Sequence, residues 1–292
     1  MKFAPCEKVQ ATAPPTVFLP ADWRMDHGET SVRWLSAAGV LINCHGTNIL
    51  IDPLLSVISD DPAIGETSEM LLTAPPILAD EVGKVDGVLY THADNDHLGP
   101  VTAAVLIQGG SPFHAPAGII LELKTMGLRD GQGFAHKPGD TFRIGCMEIT
   151  VTPAFHPHQL SSPDFTDYYG PEDCCGFRIS TPEGIIWVPG DSLLMNEHLE
   201  QKDIDLMFID FSDNVWHFGL DCAIGLANVH ETAELIAYHF GTFNGPDHNW
   251  CNADPEQARL RLRSPERLHV QAPGQKYIMG RKSQQDAAAA SQ

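Results

Sequence analysis

The 292-residue chain is expected to fold as an α/β (α+β) protein, two β-sheets packed face to face with helices outside. Three observations lead to that class. Apolar runs of strand length recur in both halves, with helical patterns between them. A hydrophobic content of 43% over this length can fill one large core or two small ones. Side chains able to bind metal stand where apolar runs end, most densely in "VLYTHADNDHLGP", residues 88–100. That stretch sets His92, Asp94, Asp96 and His97 within six positions.

The elements follow in order. Residues 1–30 are proline-rich and aperiodic, an expected N-terminal extension to one domain over 31–280. "SVRWLSAAGVLINCHGTNILIDPLL" gives apolar runs at Val32–Leu35 and Gly39–Ile42, a turn at Cys44–Asn48 and a third run at Ile49–Ile51. A long loop with a short helix is expected over "SVISDDPAIGETSEMLLTAPP", then a buried strand in "VDGVLYTH". "GPVTAAVLIQ" and "PAGIILELKTMG" read as helices, the second ending at Gly127. "TFRIGCMEITVTPAFH" reads as a hairpin, and "GFRISTPEGIIWVPGDS" as a strand pair around Pro-Glu-Gly. "DIDLMFIDFS" is a strand. "ANVHETAELIAYHF" is a helix leading to a further strand or turn, and "DPEQARLRLRS" a helix. "ERLHVQAPGQKYIM" is one more strand, and 281–292 an expected disordered tail.

Composition excludes more than it names. The formal charge is −20, from 38 acidic and 18 basic residues, with no basic stripe to offset it. A nucleic acid or an anionic membrane surface would be repelled. No window approaches the roughly 18 uninterrupted apolar residues of a membrane span. The N-terminus lacks an apolar h-region, so no signal peptide is expected, and Cys6 is too near the start for lipid attachment. Seven scattered cysteines, without a CxxC pair, fit reduced thiols and a cytoplasmic location. The expected partner is a small-molecule substrate, with homo-oligomerisation left open.

A loop leaving a strand can splay alternate side chains toward two neighbouring points. His92 and Asp94 would then face one metal, and Asp96 with His97 a second. Carboxylates and imidazoles together suit zinc, manganese or iron.

"THADNDHLG" resembles the HxHxDH signature of the metallo-β-lactamase superfamily. In order along the chain, "VTPAFHPH" resembles its third-histidine strand end, and "WVPGDS" its glycine-aspartate turn. "ELIAYHFGTF" and the early "GVLINCHGTNILIDPLLS" resemble the branch related to ascorbate-6-phosphate lactonase. The resemblance runs from about residue 32 to 280. It implies a four-layer αβ/βα sandwich and a centre of one or two divalent ions, zinc first, with manganese or iron as alternatives. His92, Asp94 and His156 would hold one ion and Asp96, His97 and His239 the other, with Asp191 bridging. Water or hydroxide between the metals would attack the substrate, oriented by Asp96, while Asp52 supports the ligand loop from behind. Position 94 departs from the pattern: Asp stands where the family usually has His. That makes the site harder and more anionic, or leaves it mononuclear at Asp96, His97, Asp191 and His239.

Each assignment has a plainer rival. His158 competes with His156, and His230 and His248 with His239. Asp191 could cap the next helix and Asp52 could be an ordinary turn residue. His27, His45, His114, His136, His198 and His269 take a structural or solvent-facing default, and Cys146, Cys222 and Cys251 a small buried one. "VHETAEL" lacks the second histidine of a metalloprotease helix and is discarded. Phe165, Tyr168, Tyr169, Asn214, Trp216, His217, His158 and His248 could line a pocket, or simply pack on the core.

The leading expectation is a metal-dependent hydrolase for a lactone, another cyclic ester or amide, a phosphoester or an activated aryl halide. Its rival is a di-iron protein of the same fold handling oxygen or nitric oxide, and a third reading is a non-catalytic metal-binding regulator.

Overall fold

The computed structural model describes residues 11–57, 64–158, 169–244 and 254–280. The first half opens with a meander, β1 (Thr30–Trp34), β2 (Val40–Cys44) and β3 (Thr47–Ile51). After the two-residue β4 (Met70–Leu71) and helix α1 (Ala79–Val82) the chain returns as β5 (Gly87–Leu89). Helix α2 (Pro100–Gln108), β6 (Phe113–Ala115), α3 (Ala117–Thr125) and β7 (Gly133–Ala135) follow. The second half repeats the plan with β8 (Thr141–Ile144), β9 (Met147–Pro153), β10 (Cys175–Thr181) and β11 (Gly184–Val188) as its meander. Then come α4 (Asn196–Leu199), β12 (Leu206–Ile209), α5 (Gly219–Val229) and β13 (Glu234–Ala237). The chain continues through β14 (Phe243–Asn244), α6 (Pro255–Arg259), β15 (Leu268–His269) and β16 (Tyr277–Ile278).

Among the described residues the strands build two seven-stranded sheets, ordered β16-β1-β2-β3-β5-β6-β7 and β15-β13-β12-β11-β10-β9-β8. Each changes from antiparallel to parallel pairing at the same place, between β3 and β5 in one and between β11 and β12 in the other. The period-2 alternation of strands sorts their side chains. Val40, Ile42, Ile49 and Ile51 face the second sheet, in one cluster with Ile149, Phe177 and Ile186. Leu41, Leu50 and Val88 face α1–α3, with Ala103, Ile119 and Leu123. Each such side chain contributes about 1.5–3 kcal/mol on burial. Helices thus cover the sandwich from outside, giving the four-layer αβ/βα metallo-β-lactamase architecture.

Several expectations need correction. The helix expected over 227–240 is the end of α5, a turn at 230–233 and strand β13, with His230 as the C-cap of α5 rather than inside it. "ELIA" pairs with β12 in parallel and is buried on both faces, and such a continuous apolar run cannot be told from a helix by periodicity. Strands β6 and β7 are three residues each and gave no readable alternation. The long loop after β3 shows a Val57–Gly65 bridge and β4 where it is described, not a helix. The segment from residue 11 lies on the body: Ala13 donates its N–H to the Gly241 carbonyl and Trp23 packs with the helix-side core. Cys146 and Cys222 are exposed. Cys6, Phe165, Tyr168, His248, Cys251 and 281–292 lie outside the described residues. No helix among the described residues is long and apolar enough to cross a membrane.

Candidate metal centre

The centre is assembled from chain segments leaving the C-terminal ends of strands. Asp52 follows β3, and Thr91 to His97 follow β5. His156 follows β9, Asp191 follows β11, and His239 follows β13. Gly190 makes the approach of Asp191 work. Its φ is +71°, and a Cβ there would lie 2.5 Å from the Cys175 carbonyl oxygen and 3.2 Å from Thr91 Cβ. Asp52 and His239 hold positive φ values of 44° and 60°, a cost that non-glycine residues accept mainly where a side chain must be aimed. The far end of the 92–99 loop is pinned by Glu66, which accepts the Val101 and Thr102 N–H groups at 3.0 and 2.9 Å at the start of α2.

The predicted ligands form two adjoining groups. His92, Asp94 and His156 make one, and Asp96, His97 and His239 the other. His156 Nε2 lies 3.0 Å from Asp94 Oδ2. His97 Nε2 lies 3.1 Å from both Asp191 Oδ2 and His239 Nε2. His239 Nε2 is 3.2 Å from Asp96 Oδ2 and 3.6 Å from Asp191 Oδ2. Asp191 therefore stands beside His97 and His239, and it also groups with His156 and with His92.

The other rings are held from behind. Asp52 accepts from Thr91 N–H at 2.8 Å and from the Thr91 hydroxyl at 2.6 Å, and takes His97 Nδ1–H at 2.9 Å. The Thr91 oxygen, its proton committed to Asp52, accepts from His92 Nδ1 at 3.0 Å. His156 Nδ1 donates to the Trp216 carbonyl at 3.2 Å. Each of these imidazoles thus spends its one N–H outward and turns a lone pair inward, the arrangement that fixes the tautomer of a metal-ligating histidine.

His158 behaves differently. Its Nδ1 donates to Asp94 Oδ2 at 2.7 Å, its side chain is 31% exposed, and its ring lies 4.9 Å from that of Trp216. It belongs to the rim. Asn214 accepts from Trp216 N–H at 3.0 Å and serves the local turn, not the cluster. His217, expected only as a pocket residue, is inside: its Nε2 is 2.9 Å from Asp191 Oδ2 and its Nδ1 is 2.6 Å from Asp210 Oδ2. Asp210, at the end of β12, was not singled out from the sequence.

The residues fit a divalent cation. His92 Nε2, Asp94 Oδ1 and Asp191 Oδ1 are buried with no hydrogen-bond partner, a cost of about 1–3 kcal/mol each unless something binds them. Electrostatics agree. Burial alone would raise the Asp94 carboxyl, yet the neighbouring rings of His92, His156 and His158 outweigh it and hold it well below the usual carboxylate range. Asp191 is likewise lowered, burial being outweighed by His217, His239 and His97. Burial pulls His97 down, but Asp191 and Asp52 carry it well above its ordinary value. The cavity is built to hold positive charge.

Comparison with known proteins bears on the fold and the family. The model of the beta-lactamase superfamily domain fits residues 47–240. A metal-dependent hydrolase of Pyrobaculum arsenaticum is 24% identical over 243 residues, 82% of this chain and 94% of its own. A metallo hydrolase of Ignicoccus hospitalis shares the fold with a TM-score of 0.62 at 19% identity, covering 87% of this chain and 99% of that one. An isothiocyanate hydrolase from Delia radicum gut bacteria does so at 0.66 and 16%, covering 85% and 98%. With a family model matching well over half of its length, this chain belongs to the β-lactamase superfamily.

Proposed function

We propose that this metal-dependent hydrolase opens a small electrophilic substrate, a lactone or another cyclic ester or amide, a phosphoester or an activated aryl halide. The observation that carries the reading is the set of imidazoles turned toward Asp94 Oδ2 and Asp191 Oδ2, beside the buried Asp94 Oδ1 and Asp191 Oδ1, which have no hydrogen-bond partner. His92, Asp94 and His156 would hold one cation, and Asp96, His97 and His239 a second, with Asp191 between them. A bound divalent cation supplies Lewis acidity to the scissile group and brings the pKa of water toward neutrality.

The protein's own groups divide the remaining work. Asp96 is 32% exposed on its side chain, against 10% for Asp94 and 3% for Asp191, so it is the acid that an incoming water reaches and the one placed to take its proton. Asp52, through His97, keeps the ring from rotating away. His158 and the Trp216 ring beside it form a partly apolar rim that suits a compact, weakly charged substrate. Among the relatives, the isothiocyanate hydrolase takes its name from such an electrophile. The resemblance to the ascorbate-6-phosphate lactonase branch supports a lactone as one of these substrates.

Metal content per chain, measured by mass spectrometry on protein purified without added metal, tests the reading together with hydrolysis of a lactone, phosphodiester and aryl-halide panel. Two ions in the wild type and one in Asp94→Ala, with chelator-sensitive turnover, are expected. A protein that takes up no metal, or a metal-loaded one that hydrolyses none of the panel, would sink it. Iron with oxygen uptake in place of hydrolysis would establish the di-iron alternative.

A further inference from the structure

We propose that His217, oriented by Asp210, is itself a protein ligand of the metal centre, the second-half counterpart of His97 oriented by Asp52. The proposal rests on the metal-binding reading above and adds to it a ligand that the HxHxDH resemblance does not supply.

The argument is one of tautomers. Ser212 donates its N–H to Asp210 Oδ1 at 2.7 Å and its hydroxyl to Asp210 Oδ2 at 2.6 Å. Asp210 is thereby fixed as an acceptor, and it takes the Nδ1–H of His217. The neutral ring then has only a lone pair at Nε2. That lone pair faces Asp191 Oδ2, another acceptor, at 2.9 Å. Two acceptors do not rest at hydrogen-bond distance unless a positive charge lies with them. His97 against Asp191 and His156 against Asp94 present the same acceptor-to-acceptor contact at 3.1 and 3.0 Å. His217 therefore behaves as the motif ligands do.

A proton could satisfy one such contact, but three satisfied that way would crowd imidazolium rings together. The His217 ring centroid is 5.5 Å from that of His156 and 5.3 Å from that of His239, and all three are buried. A cation shared among these atoms relieves several contacts at once. His217 also groups within metal-binding distance with His156 and Asp191, and with Asp210 and His239, so it lies where the two predicted groups adjoin. Its backing repeats that of His97 down to the hydroxyl residue. Thr91 gives Asp52 an N–H and an O–H, and Ser212 gives the same pair to Asp210.

The test uses full-length protein stripped of metal by chelator and titrated with Zn²⁺ and with Co²⁺. His217→Gln is expected to weaken at least one site by about tenfold or more and to change the visible Co²⁺ bands, as loss of a nitrogen donor requires, while its metal-free melting temperature stays near that of the wild type. Asp210→Asn, which keeps side-chain volume but loses the charge and replaces one acceptor oxygen by an NH2 donor, should weaken the same site with a smaller spectral change. It decides the matter should His217→Gln not fold. Unchanged Zn²⁺ affinity and unchanged Co²⁺ bands in the folded variant overturn the proposal while the metal-centre reading stands. Failure of the wild type to bind either ion overturns both.

Discussion

In the first half of the molecule Asp52 turns His97 toward Asp191; in the second, Asp210 does the same for His217. The two pairs reach one oxygen by different routes. Asp52 and His97 are 45 residues apart and leave different strands, and Asp52 sits at a strained φ of 44°. Their meeting depends on the register of β3 against β5, which sets Ile51 opposite Leu89. Asp210 and His217 are seven residues apart in one loop, and no positive φ is needed at either. A local contact closes a short loop at small entropic cost, whereas the distant one has to be carried by the sheet. The same chemical device is thus long-range and strained in one half, and local and relaxed in the other.

The largest expected effect comes from removing what the halves share. Asp191→Ala should cost more than the roughly 100-fold that bounds loss of an outer hydrogen-bond partner, because it strips both pairs of their focus. Turnover within tenfold of wild type would show that the pairs act independently of Asp191. Next come Asp52→Asn and Asp210→Asn. Each is expected to reduce metal affinity or kcat/KM by about 10–100-fold, and Asp52→Asn should lower the melting temperature further, since it loosens a tie between segments 45 residues apart whereas Asp210→Asn loosens contacts within one loop. Equal melting temperatures for the two variants would contradict the contrast drawn between a sheet-borne and a local pair.

Gly190→Ala acts where the halves touch. The added methyl would meet the Cys175 carbonyl at 2.5 Å and press on Thr91, with the backbone held at φ +71°. A loss of about 3 kcal/mol is expected from the clash and the left-handed backbone together. The damage should reach the Asp52 side before the Asp210 side. Denaturant unfolding of the variant checks the loss, and residual Co²⁺ binding shows which pair survives.

What the sequence made readable follows the same division. His92, Asp94, Asp96 and His97 fall in one short stretch, and His156, Asp191 and His239 end segments that also carry the family resemblance. His217 lies eight residues past Ile209 just as His97 lies eight past Leu89, but its loop, "FSDNVWHFG", offers no clustered ligands to draw notice. Asp210 is hidden for a physical reason: a carboxylate at the end of "LMFID" is an ordinary strand end until the partner ring is seen seven residues on. The two-sheet plan was legible from apolar alternation. The length of α5 was not, because β13 continues its apolar pattern without a glycine or proline to mark the break.

The smallest effect concerns the seam away from the centre, where the first half supplies titratable rings and the second a neutral one. Phe142 of β8 stacks on His114 at 4.6 Å and on His136 at 4.0 Å, and the two histidines share a 3.0 Å contact. Burial, with a smaller push from His136, lowers His114 to about 4, and burial also lowers His136 against the opposing pull of Asp140. A depressed folded-state value means that the neutral ring is the stable form. The unfolded chain binds its proton near pH 6.5 and the folded chain only near 4. The stability that His114 contributes is therefore complete above about pH 6.5 and is lost as pH falls toward 4. Urea melts at pH 7 and pH 4.5 should show His114→Gln losing less on acidification than the wild type, by on the order of 2 kcal/mol. An identical acid response in the two proteins would mean that the seam is carried by Phe142 and its apolar neighbours alone, and that the halves are joined there without regard to the charge state of either ring.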